Sequence, residues 1–310
     1  MSTSNNEFLN TSKNVGLVEE KSFTYSDIFE MEGGKLEGFT LSYETYGELN
    51  DKADNAILIC HALTGDHHVA GIYSENDNKP GWWNHMVGPR KPIDTQKFFV
   101  ICSNCLGACR GSTGPSSYSN SGAQFGADFP DLSMSDMVNA QKLLLEKLGI
   151  HQLFAVIGGS MGGMQALQWI VEHPGFSKKA IIIAATAQHS VQTIAFNEAG
   201  RRAITGDLDW QDGGYKKGQG PRNGLAVARM MAHITYLSDQ GMEEKFGGEK
   251  RLDSKGDFEF SVQRYLDYQG EKFINRFDAN SYLKLTEALD RFDLVGEQGL
   301  QESLKDVQAK

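Results

Sequence analysis

The chain has 310 residues, 40% of them apolar and 23% charged, and a net charge of −10. That acidic balance argues against a nucleic-acid or anionic-membrane partner, both of which demand a basic face. The run Ala180–Ala185 is far too short to span a bilayer, and the N-terminus lacks the basic and apolar regions of a secretory signal, so a cytoplasmic location is expected.

In chain order, residues 1–15 are polar and read as a disordered tail. Phe39–Tyr46 alternates as a strand, and the continuous apolar runs Ala56–Cys60 and Phe98–Cys102 suit strands buried on both faces. Residues 134–148 form an amphipathic helix with Asp136 in the first turn and Gly149 past the end. A strand over Leu153–Ile157, a helix over Met164–Val171 and a strand over Lys179–Ala185 follow. Alternating strands and helices imply an α/β fold with a mostly parallel sheet and right-handed crossovers.

The pattern changes after Thr186. Residues 190–205, 223–238, 258–276 and 280–291 read as helices with no strand among them, a block expected to cap the sheet. Residues 240–257 read as a charged surface loop, and 297–310 as a polar helix with Leu300, Leu304 and Val307 on one side. The expected organisation is a tail over 1–15, an α/β core over 16–187, a helical cap over 188–295, and a return toward the core over 296–310. Cys102, Cys105 and Cys109 fall close together, but no zinc or iron–sulfur spacing accompanies them, so no metal is expected.

The most informative stretch is Gly158-Gly159-Ser160-Met161-Gly162, a Gly-x-Ser-x-Gly between a strand and a helix. That context is the one a nucleophile elbow requires. Glycines allow the sharp turn, Ser160 stands above the sheet, and the helix N-terminus offers amides to an oxyanion. A glycine-rich strand–helix turn with an incidental serine is the competing reading. His61-Ala62-Leu63-Thr64-Gly65 follows the strand ending at Cys60, where this architecture places a second oxyanion amide. The donors are then the Leu63 and Met161 N–H groups. A His61 that only caps a strand end is the alternative.

Arg229 lies in a nearly apolar helix, with Tyr236 two turns further along. A guanidinium there either holds a substrate carboxylate bidentately or closes an internal salt bridge. An elbow serine also needs an acid and then a histidine downstream. After Ser160 the histidines are His173, His189 and His233.

These features sit among further stretches: His61-Ala-Leu-Thr-Gly-Asp66, Pro80-Gly-Trp-Trp83, Ile101-Cys-Ser-Asn104 with Gly111–Ser117, Asp136-Met-Val138, Gly158–Gln165, Asn197-Glu198, Ala228-Arg-Met230 with His233–Tyr236, and Arg276–Leu283. Together they resemble the homoserine O-acetyltransferase family of the α/β-hydrolase superfamily, through nearly the whole chain beyond the tail. The resemblance implies transfer of acetyl from acetyl-CoA to Ser160 and on to the hydroxyl of L-homoserine, in methionine biosynthesis. It implies that Arg229 and Tyr236 hold the polar end of homoserine, and that the cap helices form a homodimer. Acetyl-CoA is then a substrate, with no resident cofactor. Ser135 departs from the family's usual basic residue. The family's terminal acid strand and Gly-His-Asp motif are absent, so these 310 residues are expected to be an incomplete and inactive piece. Alternatives are a succinyl donor or a serine acceptor within the same family, an esterase, and a non-catalytic homologue.

Overall fold

The computed structural model describes residues 6–216, 218–248, 250–252 and 258–310. The main sheet has six strands: β1 (Lys21–Tyr25), β2 (Phe39–Tyr46), β3 (Ala56–Cys60), β4 (Phe99–Ser103), β5 (Ala155–Gly159) and β6 (Ala180–Ile183). Their order is β1-β2-β4-β3-β5-β6. The β1–β2 and β2–β4 pairs are antiparallel, whereas β4–β3, β3–β5 and β5–β6 are parallel. Every residue of β3 is buried, as its unbroken apolar run requires of a strand covered on both faces. Ile57 and Ile59 pack with Val100, Cys102, Ala155 and Ile157. Each fully buried aliphatic side chain there contributes roughly 1.5–3 kcal/mol.

Among the described residues, two long helices lie wholly in the same unit as the sheet. Helix α1 (Met134–Lys147) opens with a capping box: the Ser133 hydroxyl accepts from the Asp136 N–H at 3.2 Å, and the Asp136 carboxylate accepts from the Ser133 N–H at 2.7 Å. Helix α2 (Met161–Glu172) follows β5 after one residue. The two helices are bolted together by buried amides, the Trp169 indole donating to Gln141 Oε1 and Gln141 Nε2 to Gln165 Oε1, both at 2.7 Å.

The chain divides into two compact units. One holds the sheet and comprises residues up to Gly114, Pro130–His189 and Glu287–Lys310; the other comprises Pro115–Phe129 and Ser190–Thr286. The second contains α3 (Val191–Thr205), α4 (Arg222–Thr235), α5 (Asp239–Phe246), α6 (Ser261–Ile274) and most of α7 (Ala279–Arg291). Within it, α4 packs against both α3 and α6.

The expected boundaries shift in two places. Residues 115–129 group with the helices, because the turn at Gly126–Ala127 packs closely on Gly213, whose carbonyl accepts from Asn280 Nδ2 at 2.9 Å. The sheet-bearing unit resumes at Glu287, ahead of residue 296. There the passages leading out and back are clipped together: the Leu294 N–H donates to the Ala187 carbonyl at 2.9 Å, and His189 Nδ1 meets Asp290 Oδ1 at 2.9 Å.

Other expectations are corrected. Residues 6–15 are held rather than loose: Glu7–Leu9 form a turn of 3₁₀ helix, and Asn6 Nδ2 donates to the Glu75 and Asp77 carbonyls, each at 2.9 Å. Residues 1–5 lie outside the described residues. Part of the expected 240–257 loop is α5, capped by the Ser238 hydroxyl on the Gly241 N–H; residues 249 and 253–257 lie outside the described residues. A short antiparallel pair, Lys250–Leu252 with Phe258–Phe260, interrupts the helical block, so α6 starts only at Ser261. Near the C-terminal end, one helical turn (Leu300–Ser303) replaces the longer helix expected.

The β6 edge is unusual in composition. Ile181, Ile182 and Ile183 remain 48%, 37% and 42% exposed, although their apolar run resembles that of a strand covered on both faces. At its start, the Lys310 N–H donates to the Lys178 carbonyl and the Ala180 N–H to the Lys310 carbonyl, each at 3.1 Å.

Candidate active site

Ser160 joins β5 to α2 with φ 54° and ψ −124°. This is the backbone of the first central residue of a type II′ turn, a position glycine normally occupies. A non-glycine residue held there stores strain of order 1–3 kcal/mol. The surroundings enforce it. A Cβ at Gly158 would overlap the Gly162 carbonyl oxygen, and one at Gly162 would overlap the carbonyl of Cys60 at the end of β3. A Cβ at Gly163 would stand 2.6 Å from that of Ala185. The motif's glycines are thus explained by backbone approaching backbone. Gly159 is different: its nearest neighbour would be the Ile183 carbonyl oxygen at 3.8 Å.

The Ser160 side chain is exposed, and although the residue occupies the N-cap of α2 its hydroxyl caps nothing. Its backbone does the structural work, its carbonyl accepting from Gly163 N–H at 2.8 Å and Met164 N–H at 3.1 Å. A hydroxyl presented at a helix N-terminus can attack a carbonyl carbon, with the resulting oxyanion facing orphan amides. Met161, first in the helix, has no intrahelical acceptor for its N–H. Across from it, β3 pairs Cys60 with Gly158, so the loop beginning at His61 leaves the sheet beside the elbow. Residues 62–65 form a tight turn closed by the Gly65 N–H on the Ala62 carbonyl at 2.8 Å. That bond leaves the Leu63 N–H unused by the turn.

The histidines are sorted by their partners. His61 is buried with both ring nitrogens engaged, Nε2 accepting from the Cys105 N–H at 3.1 Å and Nδ1 lying 2.8 Å from the Ala62 carbonyl oxygen. Burial pushes its pKa down, against the pull of the Ala62 carbonyl. His173 is the C-cap of α2. Twelve helical residues separate it from Ser160, roughly 18 Å along the axis, which removes it as a base. His189 is paired with Asp290. His233 lies in the helical unit, its Nδ1 2.8 Å from the Tyr265 hydroxyl.

In that unit, Arg229 is 9% exposed on α4. Its guanidinium carbon stands 4.9 Å from the Phe273 ring centre and 5.8 Å from that of Tyr236. Nη1 approaches the Tyr236 hydroxyl at 3.4 Å, a long contact. The expected pair is therefore brought together. His233 is pushed down to about 4 by desolvation first, then by Arg229 and Lys245.

Sequence reasoning passed over the polar cluster behind the 61–65 turn. Arg110 pairs with Asp66, while Asp136 serves the α1 cap. The fully buried Glu44 accepts from the Tyr46 hydroxyl and faces His68 Nδ1 at 3.1 Å, and Tyr46 in turn accepts from Val69 N–H at 2.9 Å. The Asp66-His67-His68 run was the available signal. Among the described residues no group of three or more His, Cys, Asp or Glu could hold a metal ion, and no helix is long and apolar enough to cross a membrane.

A mostly parallel sheet with a strained serine at a strand–helix elbow defines an α/β-hydrolase-fold protein, and the family model described as alpha/beta hydrolase fold matches residues 55–290. Homoserine O-acetyltransferase of Methanococcoides burtonii is 54% identical over 306 residues, 96% of this chain and 62% of that protein. The corresponding enzyme of Leptospira biflexa serovar Patoc is 50% identical over 307 residues, 98% of this chain and 80% of its own. The crystal structure of the esterase E22 L374D mutant superposes with a TM-score of 0.86 at 36% identity, over 95% of this chain and 83% of that one. The chain belongs to the homoserine O-acetyltransferase family. It spans just under two thirds of the length of the Methanococcoides burtonii relative.

Proposed function

We propose that the protein moves an acetyl group from acetyl-CoA to the side-chain hydroxyl of L-homoserine, supplying methionine biosynthesis in the cytoplasm. The observation that carries this reading is Ser160: strained, exposed, and seated at the N-terminus of α2. In the first half-reaction Ser160 Oγ attacks the thioester carbonyl, its proton passes to a base, and the CoA thiol leaves. In the second, the homoserine hydroxyl attacks the acyl-serine, and Ser160 departs with its proton restored. The Leu63 and Met161 N–H groups receive the oxyanion in both, and Arg229 with Tyr236 takes the homoserine carboxylate. The aromatic packing of Arg229 supports this role, because it holds the planar fork in one orientation. Exposed Val227 and Ile234, seven residues apart on α4, support a homodimer through the helical unit.

Mass spectrometry after mixing with acetyl-CoA tests the reading. It should be run on this chain and on the chain joined to the part of the Leptospira relative that it does not match. In the joined protein one acetyl group should appear on the elbow peptide, be absent from Ser160→Ala, and pass to homoserine. An acetyl group on a cysteine or lysine overturns the assignment. Turnover by the 310 residues alone would put His189 or His233 in the role of base. The likeness to an esterase favours one second reading, with water as acceptor. Acetate release unaffected by homoserine would establish it.

A further inference from the structure

The geometry points to His61 as the positioning residue that aims the Leu63 amide at the oxyanion formed on Ser160, a role that rests on the acyl-serine reading above. Both nitrogens of the imidazole are engaged. Nε2 accepts the Cys105 N–H at 3.1 Å inside the protein, so in the neutral ring the proton sits on Nδ1. Nδ1–H therefore donates to the Ala62 carbonyl 2.8 Å away. The same carbonyl accepts the Gly65 N–H, also at 2.8 Å. The Ala62 C=O and the Leu63 N–H belong to one rigid trans peptide plane and point in opposite directions. Two donors that fix the carbonyl consequently fix where the Leu63 N–H points.

The frame on which this bracket hangs is rigid on both sides. Cys105 follows β4, which pairs with β3 in parallel, so the Cys105 N–H is a fixed reference for the ring. On the elbow side, Gly162 packs against the Cys60 carbonyl, and a Cβ there would come within 2.9 Å of the His61 carbonyl oxygen. The residue that orients the turn thus has its own backbone pressed against the first turn of α2. A histidine that merely ended a strand would not need both nitrogens engaged in opposite directions. Asparagine can still donate from Nδ2 to the Ala62 carbonyl, whereas leucine fills the space and donates nothing.

The test compares wild type, H61N and H61L. Nitrogen-15 NMR of the wild-type imidazole should show the Nδ1–H tautomer at pH 7; an Nε2–H tautomer overturns the proposal, because the Cys105 N–H then has no acceptor. Crystal structures should show the Ala62–Leu63 peptide plane retained in H61N and rotated in H61L; an unmoved plane in H61L also overturns it. In the acetyl-transfer-competent protein, H61L should lose on the order of 10²-fold in kcat with KM nearly unchanged, and H61N should recover most of the loss. A merely structural histidine would lower activity only in step with melting temperature, without rescue by asparagine. Should Ser160 fail to acetylate in the joined protein with His61 unchanged, the acyl-serine reading fails, while the tautomer and the peptide plane still decide the role of His61. Should H61L not fold, the tautomer and H61N decide it.

Discussion

The Ser160 N–H donates to the Ile183 carbonyl at 3.0 Å, which ties the turn of the elbow to the end of the neighbouring strand while the hydroxyl stays outside the sheet. Strain and the proposed chemistry therefore fall on one residue. Glycine adopts φ 54°, ψ −124° without Cβ conflict, so Ser160→Gly should stabilise the protein by about 1 kcal/mol after its own entropy cost. The melting temperature should rise by roughly 2–4 °C, with acetylation lost. A lower melting temperature would show that the turn is not strained.

The glycines around Ser160 should differ sharply in tolerance. Gly158→Ala and Gly162→Ala drive a methyl into a carbonyl oxygen and should each cost about 2–4 kcal/mol, because backbone must move. Gly159→Ala meets its nearest atom at 3.8 Å and should leave the melting temperature within a degree or two. Thermal melts of the three variants check this, and equal losses at all three sites would refute the close-approach account.

Arg229→Ala should separate the half-reactions. Acetylation of Ser160 by acetyl-CoA should stay within about threefold of wild type, while transfer to homoserine falls by roughly 30- to 1,000-fold, the worth of a lost bidentate contact. Arg229→Lys should recover only part of it. If the guanidinium instead serves chiefly to pack Phe273, both half-reactions and the melting temperature should fall together. Single-turnover acetylation measured beside steady-state transfer distinguishes the outcomes.

His233 gives the stability of the protein a pH dependence with a definite sign. An unfolded histidine titrates near 6.5, and His233 in the fold near 4. Between these values the unfolded chain binds more protons, so the contribution of His233 is complete above about pH 6.5 and is lost as pH falls toward 4. His233→Gln should flatten the dependence of unfolding free energy on pH in that window by about one proton. Denaturant titrations at pH 7 and pH 4.5 measure it; parallel slopes would exclude the effect.

Much of this was legible in the residues. The runs at 56–60 and 98–102 announced doubly covered strands because burial on both faces leaves no polar position. The Gly-x-Ser-x-Gly motif announced the elbow because only glycine satisfies two backbone contacts that close. Other features depended on partners remote in sequence. Asn6 is held by carbonyls of residues 75 and 77, and 115–129 joins the helices through Gly213 and Asn280. Neither could be read from local pattern. The pairing of Lys250–Leu252 with Phe258–Phe260 was hidden for a related reason: three-residue strands are too short to show a period. Arg229 stood out in its apolar helix, but the Phe273 ring beneath it came from a helix far along the chain.

The four thiols offer a practical gauge of the sheet. Cys60, Cys102 and Cys105 are at most 1% exposed, and burial raises all three pKa values, that of Cys105 to about 12; Cys109 alone is partly accessible. Since the thiolate is the reactive form, a maleimide should modify Cys109 first under native conditions and the others only when β3 and β4 part from their neighbours. The slow labelling of those three would then serve as a clock for opening of the central strands, readable residue by residue without any introduced probe.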